Sequence, residues 1–214
     1  MTMDSIMELR INSIVKDVQK NITRTDYFLV NRMEMIKVKI TKFKDIPQLT
    51  KAGSYNTNIP LTHMLKTISE WEQDEYYQLQ LNPNFQRGHV WTESQQIAFV
   101  EFLLRGGKSA RVIYFNKPSW QMTKTINGYD DFVCVDGLQR ITAVTKFLKN
   151  EIKVFGSYYK DFEDKIPLSI DLIFNVNDLK TEKEVLQWYV DMNAGGTPHT
   201  SEEINRVKKM IEKL

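Results

Sequence analysis

The sequence predicts an α+β domain. Apolar residues alternate in short runs, as in Leu172, Phe174 and Val176, and elsewhere recur every three or four positions. The two kinds of run are intermingled along the chain, not sorted into blocks. Thr92 with Gln95, and Thr181 with Glu184, have the spacing of capping boxes, in which each side chain serves the other residue's backbone N–H at a helix start.

Taken in order, residues 3–20 suit a helix with Met7, Ile11, Ile14 and Val18 on one face. Residues 35–40 alternate between Ile36, Val38, Ile40 and the lysines Lys37 and Lys39, as a half-buried strand does. Pro47, Gly53, Pro60 and several Asn and Ser make 45–60 read as a loop. The chain is therefore expected to divide into an extension, 1–59, and a main body, 60–214. Pro60 opens a helix carrying Leu61, Met64, Leu65, Ile68 and Trp71 at helical spacing. Tyr77, Leu79 and Leu81 alternate as a short strand, closed by Asn82-Pro83. After Thr92 a helix buries Ile97, Phe99, Phe102 and Leu103 and stops at Gly106-Gly107.

Residues 112–115 read as a core strand, 116–130 as a loop and 132–135 as another strand. A helix over 138–149 follows, with Leu138, Ile141, Val144 and Leu148 inward. Residues 156–167 are an aromatic-rich loop and 172–176 a strand. The helix behind Thr181 runs through Met192, residues 193–198 form a turn, and Thr200 with Glu203 starts a last helix that turns Ile204, Val207, Ile211 and Leu214 inward.

Composition narrows the function. The 214 residues hold 42% hydrophobic content, enough for a real core, and a net charge of +2, which does not describe a nucleic-acid-coating protein. The single cysteine, Cys134, excludes an internal disulfide framework, and it sits in an apolar run as an inert thiol. His63, His89 and His199 lack ligand spacing for zinc. No apolar run approaches the ~20 residues that span a bilayer, and MTMDSIMELR lacks the pattern of a signal peptide. The expectation is a protein of a reducing cytoplasm, without membrane partners.

Three segments can carry chemistry. In Phe132–Arg140 a buried strand stops at Asp136, Gly137 allows a tight turn, and a helix starts with Gln139 and Arg140 in its first turn. Free N–H groups and the helix dipole favour an anion there, and Arg140 adds a forked donor suited to phosphate. Asp136 is placed to orient a metal ion, a water or Arg140. The same spacing suits an ordinary strand–turn–helix with Asp136 as N-cap and Arg140 in solvent. In Asn84–Trp91, Gln86, Arg87 and His89 lie between Phe85 and Trp91, which read as core anchors. In Asn193–Glu203 a helix end, two glycines and a fresh helix start bring more N–H groups together. Asn193 suits a metal or phosphate ligand, or a plain C-cap. Arg206, Lys208 and Lys209 are offset by Glu202, Glu203 and Glu212, which argues against a DNA-reading helix.

The set F-Q-R-G-H-V-W at 85–91, L-R-G-G at 104–107, D-G-L-Q-R at 136–140 and N-A-G-G-T-P-H-T at 193–200 resembles, in this order, the DGQQR-motif family. This is the N-terminal domain of GmrSD-type modification-dependent restriction proteins. The resemblance covers roughly residues 60–214. It implies a ParB/sulfiredoxin-like core, with a small mixed sheet and flanking helices, that binds and hydrolyses a nucleoside triphosphate with magnesium in support of DNA restriction. Carried over by position, Asp136, Gln139 and Arg140 are the expected catalytic residues. Gln86, Arg87, Gly137, Arg140 and Asn193 are expected to hold the phosphates, and Asp136 with Asn193 the magnesium. Leu138 stands where the family usually has glutamine, a departure that bears on hydrolysis and leaves binding untouched. Family members often continue into an HNH nuclease half, and no histidine here has that arrangement. DNA and a nuclease or other restriction-system protein are the expected partners. Two other readings stay open: a metal-dependent ParB-like DNA nuclease using Asp136, and a non-catalytic regulator from a phage or mobile element that binds a restriction partner.

Overall fold

The computed structural model describes residues 40–86, 88, 90–121, 125, 128–193 and 201–214. The expected helix at 3–20 and strand at 35–40 (Ile40 excepted), Arg87, His89 and the turn at 194–200 lie outside them. The chain forms two compact units, 1–48 and 49–214. The described part of the first holds one 3-10 turn, Phe43–Asp45.

The frame of the second unit is a four-stranded sheet, β1 (Tyr55–Pro60), β2 (Val112–Asn116), β3 (Val133–Asp136) and β4 (Asp171–Asn177), in the order β1-β4-β2-β3. β4 is antiparallel to β1 and parallel to β2, and β2 is antiparallel to β3. The sheet is mixed and the class is α+β. Five α-helices accompany it among the described residues: α1 (Leu61–Gln73), α2 (Glu93–Leu104), α3 (Leu138–Leu148), α4 (Glu182–Asn193) and α5 (Ser201–Ile211).

The period-two alternation of the strands sorts the core into two layers. Ile113, Phe115, Cys134, Leu172, Phe174 and Val176 pack with apolar residues of α1, α2 and α3. Val133 and Val135 pack with Val185, Leu186, Trp188 and Tyr189 of α4 and Val207 of α5. Trp71 of α1 anchors the first layer, touching Phe115, Trp120, Phe132 and Phe174 with ring centroids 5.2–5.7 Å apart. Both capping boxes form. Gln95 N–H donates to Thr92 Oγ1 at 3.3 Å, and Glu184 N–H to Thr181 Oγ1 at 3.2 Å.

Five local expectations are corrected. Residues 55–60 are a strand, not a loop. The turn-forming composition before them serves a different purpose: Asn175 donates from Nδ2 to Gly53 O at 2.7 Å and accepts from Gly53 N–H at 3.2 Å, while Asn177 donates to Lys51 O at 2.9 Å. A Cβ on Gly53 would fall 2.0 Å from Val176 O, so only glycine lets this segment lie on β4. Residues 77–81 are not a strand. Asp74 Oδ1 accepts from the Tyr76 and Tyr77 N–H groups, Gln78 has φ +47, and only Gln80 bridges to Val133. Phe102 is 38% exposed, lying over Gly107 at the end of α2. Leu214 is 59% exposed, while Val207 of α5 is fully buried. In α3, Ala143 and Phe147 fill the core beside Ile141 and Val144, and Leu138 and Leu148 are half-buried.

Candidate functional site

The junction between β3 and α3 is built by one glycine. β3 is buried until Asp136, because Val133, Cys134 and Val135 are apolar to both layers. Gly137 then takes φ +119, and a Cβ there would lie 2.6 Å from Ile113 Cδ1 and 2.8 Å from its Cγ2. The strand can turn into a helix at this point only by pressing bare backbone on β2. α3 begins at Leu138 with no side-chain cap, which excludes the N-cap role for Asp136.

Asp136 and Arg140 pair across this first turn. Arg140 Nη1 also donates to Val112 O, and to Ala110 O at 3.4 Å. The guanidinium is thus only 16% exposed and ties the start of α3 to the start of β2, while Asp136 is 37% exposed. Gln139 turns the other way. Its Oε1 accepts from the N–H groups of Val90 at 2.9 Å and Trp91 at 3.1 Å, and its Nε2 donates to Gly88 O at 3.2 Å. The expected catalytic amide is therefore clasping the backbone of the 84–91 loop.

That loop is held from several sides. Gln86 Nε2 donates to Cys134 O, fastening it to β3. Phe85 is 5% exposed and packs edge-on against Tyr189 at 5.3 Å, and Trp91 packs against Phe99 at 5.4 Å, so both aromatics are core anchors. Arg206 of α5 donates to Asn84 O at 3.0 Å and Phe85 O at 2.9 Å. In the sequence, Arg206 stands only as a charge offset by Glu202, Glu203 and Glu212. Its partners are main-chain carbonyls more than a hundred positions away, which no local pattern signals.

The structure therefore brings Gln86, Asp136, Gly137, Gln139 and Arg140 into one connected group. Asn193 is turned into its own helix, donating from Nδ2 to Tyr189 O at 2.7 Å as a C-terminal cap. Among the described residues no group of three or more His, Cys, Asp or Glu side chains is gathered to hold a metal. A magnesium ion at Asp136 would take its other ligands from phosphates and water, as this ion commonly does. Burial, with the negative charge of Asp136 behind it, pushes the Cys134 thiol up to about 12, which keeps it protonated and inert. His63 is exposed on α1.

A second polar cluster escaped the sequence reading. Lys117, 3% exposed, donates to the carboxylate and main-chain oxygen of Asp130 at 2.9 and 2.8 Å and lies over the Tyr76 ring. Burial opposes ionisation of Asp130, but hydrogen bonds from Lys117 and Ser119 outweigh it and hold the carboxyl below its usual range. The cluster closes the 116–130 loop on itself.

Compared with protein families, residues 65–172 match the GmrSD restriction endonuclease N-terminal domain. The chain belongs to this family. The match runs from α1 to the start of β4, so the GmrSD N-terminal domain region contains the 84–91 loop, the end of α2 and the D-G-L-Q-R turn. Asn193 and the clasping Arg206 lie beyond it. Searches of curated proteins and of solved structures find no match. Among the described residues of this GmrSD-type domain, no helix is long and apolar enough to cross a membrane.

Proposed function

We propose that this restriction-system domain binds a nucleoside triphosphate with magnesium at the β3–α3 turn, and that the ParB/sulfiredoxin-like kinship of its motifs extends to this use of them. The observation that carries the reading is the turn itself. An uncapped helix start, an arginine in its first turn and a half-exposed carboxylate meet at a glycine pressed against the sheet. The helix N–H groups and dipole favour phosphate oxygens. Arg140 is held by main-chain carbonyls of β2 and by Asp136, so its charge is fixed in place before a ligand arrives. Asp136 would hold the Mg2+ ion, which would supply positive charge to the phosphate oxygens, and Arg140 would offer its guanidinium donors to a phosphate. Gln139, fixed to the 88–91 backbone, links phosphate binding at the turn to the position of that loop. This supports binding more directly than hydrolysis, because the amide that would orient a water is already engaged.

Calorimetry with ATP, CTP, GTP and UTP in the presence of Mg2+ tests the reading, on wild type and on Arg140→Lys. The lysine keeps the charge and loses the fork. Heat of binding with the wild type and a roughly ten-fold or greater loss in the variant, with its melting curve preserved, is the expected result. Absence of heat with all four triphosphates rejects the proposal.

A further inference from the structure

The apolar residues of α5 recur every three or four positions. Ile204, Val207, Met210 and Ile211 turn to the layer that also holds Phe85 and Tyr189. Arg206 stands one position off that face and is exposed. Its Nη1 donates to Asn84 O at 3.0 Å, and its Nη2 to Phe85 O at 2.9 Å and to Gln86 O at 3.4 Å. One planar fork thus collects three consecutive carbonyls. A lysine ammonium has the charge but not this spread of donors. Because Arg206 is exposed, water can replace it at the carbonyls, so the bonds contribute little to stability. What water does not supply is a fixed position for the loop.

The same loop meets the β3–α3 turn at two points. Gln86 Nε2 donates to Cys134 O, two residues before Asp136. Gly88, Val90 and Trp91 are bonded through their backbone by Gln139, the neighbour of Arg140 in the first turn of α3. α5 therefore grips one end of the loop and the turn grips the other. We infer that Arg206 is a positioning residue for phosphate binding; the inference rests on the triphosphate reading above. By fixing residues 84–86 it fixes the backbone that Gln139 clasps, and with Gln139 the helix start whose N–H groups and Arg140 receive the phosphates. α5 itself supplies no group of the turn. Linkage makes the coupling reciprocal: if a docked α5 favours the ligand, the bound ligand favours a docked α5 by the same factor.

The test is calorimetry on the full chain with Mg2+ and ATP, CTP, GTP and UTP in turn, with amide hydrogen exchange followed by mass spectrometry on the same samples. Arg206→Ala is expected to bind the triphosphate preferred by the wild type roughly ten-fold more weakly, with its melting curve preserved. Arg206→Lys keeps the charge and loses the fork, and is expected to lose most of that affinity too. Lys208→Ala removes the same charge from the same helix and is expected to stay within roughly two-fold of wild type. On the unchanged chain the bound triphosphate is expected to slow exchange at 84–91 and also at 201–211, and Arg206→Ala to abolish the second effect. An Arg206 that only fastens α5 does not produce that loss of affinity. If Arg206→Ala does not fold, Arg206→Lys and exchange on the unchanged chain decide. Binding by either Arg206 variant within roughly two-fold of wild type, or ligand protection that does not reach 201–211, overturns the positioning role and leaves the triphosphate reading standing. No binding of any triphosphate by the wild type overturns both.

Discussion

Two arginine–aspartate pairs bracket the start of β2, and they are built on opposite principles. Arg140 and Asp136 are four residues apart and meet because a helical turn brings such positions together. Arg111 and Asp171 are sixty positions apart and meet because β2 runs parallel to β4, with Val112 opposite Ile173. The local pair is half open to water on its aspartate side, at 37%, whereas neither member of the distant pair exceeds 12%. The same chemistry thus makes a half-open contact in one place and a closed one in the other. A carboxylate that is to hold a metal ion has to be the exposed one. A carboxylate that fastens β1 and β4 to the start of β2 has to be the closed one.

The largest effect is expected where the pair is buried. Asp171→Ala leaves the Arg111 guanidinium without its carboxylate and Asn58 without its acceptor, and should cost about 3–4 kcal/mol in urea unfolding. A cost below about 1 kcal/mol would mean that the pair is solvated and that the contrast between the two pairs is false. The glycine that builds the local site comes next. Gly137→Ala meets both a left-handed φ of +119 and the Ile113 side chain at 2.6 Å, for an expected loss of about 2–3 kcal/mol. Gly106→Ala is the control, with φ +84 but open space around the added Cβ, and should lose only about 1 kcal/mol. Equal losses would show that backbone strain alone, and not the close approach to β2, sets the requirement for glycine at the turn.

What could be read from the sequence follows the same division. The D-G-L-Q-R turn, both capping boxes, the helices and the core strands rest on residues within about four positions of one another, and periodicity exposes them. β1 was lost to its own neighbours. Gly53, Asn56 and Asn58 look like turn chemistry, yet Asn56 and Asn58 bond Asn175 and Asp171 across the strand pair. The 77–81 run failed in the opposite sense, since its alternation is real but Asp74 captures the backbone that a strand would need. Within the site, Gln139 and Arg140 stand in the first turn of the helix as expected and Asp136 meets Arg140, but their other partners were not foreseeable. Those partners are main-chain atoms of Gly88, Val90, Trp91 and Val112, which carry no residue-type signature. Arg206 holds the carbonyls of Asn84 and Phe85, which carry no such signature either, and Arg111 meets a carboxylate sixty positions away.

The smallest change in stability is expected at Asp136, and there it becomes most informative. Asp136→Asn removes a charge that is more than a third exposed, and Arg140 keeps Val112 O as an acceptor. Unfolding should therefore shift by only about 0.5–1 kcal/mol. Triphosphate binding should respond differently with and without the metal. With Mg2+ the variant loses a ligand of the ion and should bind roughly ten-fold more weakly. With EDTA it should bind as well as wild type or better, because Arg140 no longer has a carboxylate competing with phosphate for its donors. An equal loss in both conditions would place Asp136 among the residues that only hold the turn together, and would make the local pair as structural as the buried one.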